Sequence, residues 1–141
     1  MCIDNITNPT RVVGFKLMEK QPDGSYKPVF YWGRKYDSRL FRVGKEYQKA
    51  EGTDGFHASE SEQDILKILE SKNYWSFAQE GIKRSKLRIV IAELSGHIKH
   101  GSSWDAGNQI RGNSMKILSV YKSRKTDRAV KQLKSRYILE E

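Results

Sequence analysis

The amino-acid sequence predicts an α+β fold, in which a mostly antiparallel sheet is accompanied by one middle helix and a basic C-terminal helix. The first observation is a pair of alternating segments, 11–19 and 26–32, which predicts an N-terminal β-hairpin. The second is the apolar run at 87–94, which is typical of a central strand covered on both faces. The third is the helical spacing of apolar residues in two segments, one beginning near Ser59 and the other at Thr126.

The turn of the hairpin is predicted at Pro22-Asp23-Gly24, because proline presets φ and glycine accepts a positive φ. In the first strand Val13, Phe15 and Leu17 would share one face of the sheet. Pro28 in the return strand has no N–H to donate, which favours an edge position.

The middle helix is predicted to begin at Ser59 or Ser61, where Ser59 and Glu62 fit a capping box, and to end near Asn73. Its apolar stripe consists of Ile65, Leu66, Ile68 and Leu69. We expect residues 74–80 to form a second short helix or an irregular aromatic segment.

The C-terminal helix is predicted over residues 126–141, with Thr126 as its N-cap. Val130, Leu133 and Tyr137 would face inward. Residues 115–122 are predicted as a further strand, and a short one is expected at 40–43. The glycine-containing segments 33–58 and 95–113 are otherwise predicted as loops, the second as a long exposed excursion.

The length of 141 residues suits one domain, so we expect 1–141 to form a single α+β domain, with 1–10 considered as a flexible arm. The lone cysteine, Cys2, excludes an internal disulfide and a cysteine-based zinc cage. No apolar run approaches the roughly 18–20 residues of a membrane span, and no secretory signal is visible. We therefore expect a cytoplasmic protein without a membrane partner, a cofactor or a metal.

The positive charge is concentrated in one segment. The chain carries a net charge of +9, and residues 116–136 hold eight basic side chains against one acidic side chain, a balance of +7. Such a concentration favours an anionic partner, although a run of charge is more often an ordinary solvated face.

Two basic segments supply the predicted anion-binding residues. Arg124, Arg128 and Lys131 recur at four- and three-residue intervals, so they would form one stripe on the final helix. The full set is Lys83, Arg84, Lys86, Arg124, Lys125, Arg128, Lys131 and Lys134. We predict a non-enzymatic binding module that engages nucleic acid, a nucleotide or an acidic face of another protein.

His57 suggests an alternative, because it lies between a glycine-rich loop and a predicted helix start. In this alternative the protein is a small enzyme acting on a nucleotide or phosphoryl substrate, with His57 as the acid–base group. A pocket of His57, Trp104, Asp105 and Arg111 would then be required. If these residues have only a structural role, His57 packs beside Phe56 and Trp104 covers a hydrophobic patch.

His97 and His100 form a His-x-x-His pair in a polar segment. A metal site needs three or four converging ligands, and no third histidine or cysteine lies close in sequence. We therefore interpret both as solvated loop histidines.

The order of several short motifs resembles small uncharacterised domains carried by phages and prophages. These motifs are VVGFK (12–16), VGKEY (43–47), DGFHAS (54–59), RIVIAELSG (88–96) and SMKILSVY (114–121). The GFHA element is the most specific of them, and Ala58 stands where relatives often carry a cysteine. The resemblance implies a phage-type accessory protein that acts on a host or defence factor.

Overall fold

The computed structural model describes residues 2–7, 11–30 and 39–139. In this part of the chain the helices are α1 (Glu62–Glu70), α2 (Lys72–Trp75) and α3 (Arg124–Lys131), and a 3₁₀ turn spans Arg84–Lys86. The strands are β1 (Cys2–Thr7), β2 (Arg11–Lys20), β3 (Tyr26–Pro28), β4 (Glu46–Gln48), β5 (Phe56–Ser59), β6 (Ile82–Lys83), β7 (Leu87–Ser95), β8 (Ile98–Ser103), β9 (Gly107–Gly112), β10 (Ser114–Tyr121) and β11 (Ile138–Leu139).

Nine strands form one sheet in the order β1-β8-β9-β5-β2-β7-β10-β4, with β3 paired to β2, and their pairings are antiparallel. The two remaining strands, β6 and β11, form a short parallel pair. The chain is therefore an α+β domain with a mostly antiparallel sheet.

Strand β7 lies between β2 and β10 and is buried on both faces. Leu87 and Ile89 enter the apolar cluster beneath the helices. Val90, Ala92 and Leu94 enter a second cluster on the opposite side of the sheet. Because successive side chains of a strand point to opposite faces, one nine-residue strand contributes to both cores. The prediction of a central strand at 87–94 is confirmed.

The N-cap of helix α1 lies two residues later in the chain than the N-cap of the predicted capping box. Ser61 is the N-cap, and its hydroxyl accepts a hydrogen bond from the Asp64 N–H at 3.2 Å. Ser59 is a buried residue of β5, so the Ser59–Glu62 prediction is wrong. The helix ends at Glu70, before Asn73, because Ser71 is extended and caps the separate helix α2.

Helix α3 is shorter than the predicted helix and starts earlier. Ser123 is the N-cap, accepting from the Thr126 N–H at 3.1 Å, whereas Thr126 is buried inside the helix. The helix ends at Lys131, and irregular residues at 133–135 and a turn at 136–137 lead to Ile138, which pairs with Ile82. This path buries Leu133, which was expected to face inward from a continuous helix, and it also buries Ile138.

The segment predicted as a long exposed excursion is a β-hairpin formed by β8 and β9. The prediction is wrong because the many glycines, serines and histidines of this segment leave too few apolar residues for the alternation of a strand to be recognised. Ile98, Gln109 and Ile110 are fully buried, and Gln109 donates from Nε2 to the Ala106 carbonyl at 2.9 Å.

Strand β2 is joined to β3 by a turn in which Gly24 has a φ of +86°. The return strand ends at Pro28, and Phe30 then forms an isolated bridge to Ala78. Residues 31–32 of the predicted strand lie outside the described residues. In the predicted strand 40–43, Phe41 and Val43 make only isolated bridges.

Residues 2–7, which we considered as part of a flexible arm, are strand β1 paired with β8. Residues 8–10 lie outside the part that the structure describes. No described helix has the length and apolar character that crossing a membrane would require.

Gly14 allows β2 and β5 to approach each other closely. A Cβ at this position would lie 2.7 Å from the Ser59 carbonyl oxygen and 2.8 Å from Ile110 Cδ1. We expect Gly14→Ala to lower the free energy of unfolding by about 1–3 kcal/mol, because a packed core resists added volume. Urea unfolding measures this change, with Ser119→Ala at an exposed strand position as the control. Equal stability of the two variants would contradict the close approach.

Candidate anion-binding cleft

A cleft of about 470 Å³ opens where the start of β7, the end of β10 and helix α3 meet. The neighbouring strand ends are in register, since Ile89 pairs with Tyr121. The residues that line the cleft are Arg84, Ser85, Leu87, Arg88, Ile89, Val120, Tyr121, Lys122, Thr126, Asp127, Val130 and Lys131. Four basic side chains from three elements therefore surround one concavity.

Two arginines are held in place by backbone carbonyls. Arg84 donates from Nη1 to the Lys131 carbonyl at 2.7 Å, which satisfies one of the open carbonyls at the end of α3. Arg88 donates from Nη1 to the carbonyls of Ser85 at 2.9 Å and Leu87 at 2.8 Å. In these bonds each guanidinium uses Nη1 alone, so its other N–H groups remain to meet an anion.

The lysines of the cleft, Lys122 and Lys131, are exposed. Between described residues, the ion pairs join Arg11 to Glu93, Arg42 to Asp23 and His100 to Glu60, so none of them neutralises a basic residue of the cleft. Asp127 is the single carboxylate among the lining residues. The cleft consequently carries an excess of positive charge.

An apolar wall completes the cleft. Tyr121 and Val130 are half-buried and pack against the same apolar cluster as the buried residues Leu87 and Ile89, which also line the cleft. The Tyr121 hydroxyl donates to Glu62 Oε2 at 2.6 Å. This hydrogen bond lowers the pKa of Glu62 and raises the pKa of Tyr121, so the carboxylate stays ionised beside the wall.

The structure separates the predicted anion-binding residues into groups. Arg84 and Lys131 line the cleft, while Arg124 and Arg128 extend from Lys131 along the exposed face of α3. Lys134 lines a different concavity beside α2. The others do not line the cleft: Lys83, Lys86 and Lys125.

Sequence reasoning did not select Lys122 and Asp127 as site residues, and it included Arg88 only as the last residue of the basic segment 83–88. Arg88 and Lys122 are 34 positions apart in the chain and meet only because β7 pairs with β10. The signal that could have found them was the antiparallel alignment of two strands that each have a basic residue at the adjoining end.

His57 and Arg111 occupy paired positions of β5 and β9. Lys16 donates from Nζ to the His57 carbonyl at 2.8 Å. Burial, together with the nearby charges of Lys16 and Arg111, lowers the pKa of His57 from 6.5 to about 3. The adjoining cavity measures about 30 Å³, which is room for roughly one water molecule.

Trp104 and Asp105 lie at the turn of the β8–β9 hairpin, away from His57 and Arg111. Trp104 is 85% exposed and lines an open groove with Lys67 and Lys72. Two of the four residues predicted for one pocket are thus together, and the other two are elsewhere.

His100 lies in β8 rather than in a loop, 3.9 Å from the Glu60 carboxylate. Among described residues, no group of three or more histidine, cysteine, aspartate or glutamate side chains could hold a metal ion. Comparison of the chain with protein-family models, with curated proteins and with solved structures found no match.

The pKa of His57 makes the stability of the domain depend on pH. The unfolded chain binds the proton of this group near pH 6.5 and the folded chain only near pH 3, so the free energy of unfolding decreases as the pH falls between these values. The slope from one group is at most about 1.4 kcal/mol per pH unit. His57→Gln should remove this contribution, as measured by urea unfolding across the interval.

Nuclear magnetic resonance provides the direct test. The imidazole signal that disappears in His57→Gln should stay in its neutral form well below pH 6.5. A signal that titrates near pH 6.5 would contradict the buried position of the ring.

Proposed function

We propose that this protein is a non-enzymatic binding module that takes an anionic ligand in the cleft between β7, β10 and α3. The observation that supports the proposal is the convergence of Arg84, Arg88, Lys122 and Lys131 around a concavity of about 470 Å³. Like charges brought together at a surface repel one another, and an anion relieves that repulsion. The carbonyl bonds of Arg84 and Arg88 orient their guanidinium groups before any ligand arrives, which reduces the entropy lost on binding.

The chemistry of the cleft suits nucleic acid, a nucleotide or an acidic face of a protein, since each presents phosphates or carboxylates to arginine and lysine. The exposed arginines Arg124 and Arg128 continue the positive surface along α3. The resemblance to phage and prophage domains extends the proposal to a host or defence factor as the biological partner.

The geometry around His57 favours the enzyme alternative less. An imidazole with a pKa of about 3 is a weak proton acceptor at neutral pH, whereas an effective acid–base group has a pKa near the working pH. The cavity beside it, about 30 Å³, is too small for a nucleotide.

The proposal predicts that removing two charges from the cleft weakens the binding of anionic ligands. We expect Lys122→Gln/Lys131→Gln to reduce affinity by about tenfold or more, because each lost contact to a phosphate removes a charge-assisted hydrogen bond. Titration calorimetry against a panel of nucleotides, short single-stranded oligonucleotides and an acidic peptide measures the change. The affinity of the unaltered protein should also fall as salt rises.

A matched control exists on another surface. Lys67→Gln/Lys72→Gln removes the same number of charges from the groove beside Trp104 and should leave affinity unchanged. Absence of any binding to the panel, or equal weakening by both double variants, would refute the cleft as the anion site.

A further inference from the structure

The lining of the cleft is not uniformly basic, and its chemistry differs from one part to another. Near the 3₁₀ turn, Arg84 donates to the Lys131 carbonyl, so these two residues lie side by side. One helical turn before Lys131, the lining residue is Asp127. Tyr121 and Val130, which pack against the same apolar cluster, provide the apolar wall.

From these three chemistries we propose that the ligand is a nucleoside monophosphate. The inference rests on the proposed function and narrows its ligand to one class. In this arrangement the phosphate binds Arg84 and Lys131, the ribose hydroxyls donate to the Asp127 carboxylate, and the base packs on the wall formed by Tyr121 and Val130.

Asp127 is the feature that selects against a wholly anionic ligand. A carboxylate is an acceptor without donors, so it repels a phosphate placed against it and receives hydrogen bonds from hydroxyl groups. Asp127 is exposed, and no ion pair between described residues neutralises it. A ligand with hydroxyl donors a few ångströms from its phosphate satisfies both Asp127 and the cations.

The size of the cleft agrees with a single nucleotide. Its volume of about 470 Å³ lies within the roughly 300–1,000 Å³ of small-molecule sites. The half-buried faces of Tyr121 and Val130 give a base an apolar surface to cover, which inorganic phosphate or a sugar phosphate would leave exposed to water.

The test measures binding of adenosine 5′-monophosphate and uridine 5′-monophosphate by titration calorimetry at low salt. Ribose 5-phosphate, adenosine and inorganic phosphate serve as fragments, and a short oligothymidylate represents nucleic acid. We expect the monophosphates to bind more tightly than every fragment, since each fragment lacks at least one of the three contacts.

Two variants separate the contacts. Lys131→Gln should reduce the affinity for the monophosphates by about tenfold and leave the affinity for adenosine unchanged. Asp127→Asn should reduce the affinity for the monophosphates by about fivefold but increase the affinity for inorganic phosphate, because a repelling charge is gone. Asp127→Asn should not reduce the affinity for a 2′,3′-dideoxynucleotide, since this ligand lacks the hydroxyl donors.

The outcomes distinguish this inference from the proposed function. If the oligothymidylate binds and depends on Arg124 and Arg128 while the monophosphates do not bind, the nucleotide inference is overturned and the basic module stands. If Asp127→Asn weakens inorganic phosphate and monophosphates equally, the ribose contact is refuted. If no probe binds the unaltered protein, the nucleotide inference fails together with the nucleotide and nucleic-acid forms of the proposed function.

Discussion

The structure depends on the pairing of β7 with β2 on one side and with β10 on the other. Since both faces of β7 are buried, every backbone group of the strand must be paired within the sheet, and that requirement holds the three strands in register. The same strand separates the apolar cluster under the helices from the cluster on the opposite face. The start of β7 and the end of β10 therefore form a rigid base for the cleft, which α3 completes.

The cleft combines local stability with electrostatic repulsion. Arg84 closes the carbonyl end of α3, so it is part of the fold as well as part of the positive surface. Lys122 and Lys131 make no ion pair with a described residue, so they add positive charge without a stabilising ion pair. An anion bound in the cleft, as we propose, would relieve the repulsion among these charges.

Sequence patterns predicted the class of fold and the strands with strong apolar character, because strands that are buried in a sheet are rich in apolar residues. They failed for polar residues that are buried because other groups satisfy their hydrogen bonds. Gln109 is fully buried, and its amide group donates hydrogen bonds to Ser59 and Ala106. Hydrophobic periodicity does not reveal such a residue. They also left the start of α1 open between Ser59 and Ser61 and placed the N-cap of α3 wrongly, since serine and threonine occur at several neighbouring positions and only the packing of Ser59 and Thr126 excluded them.

The sequence by itself determined the excess of positive charge, its concentration near the end of the chain and the central apolar strand, because these properties belong to residue types and their order. Tertiary structure alone decided which cations act together. Antiparallel pairing brought Arg88 beside Lys122, and the early end of α3 at Lys131 sent Lys134 to another surface. It likewise put His57 into a half-buried position in β5, where loss of solvation and two nearby cations disfavour its protonation. Distance in space, which sets both attraction and repulsion, is a property of the folded chain.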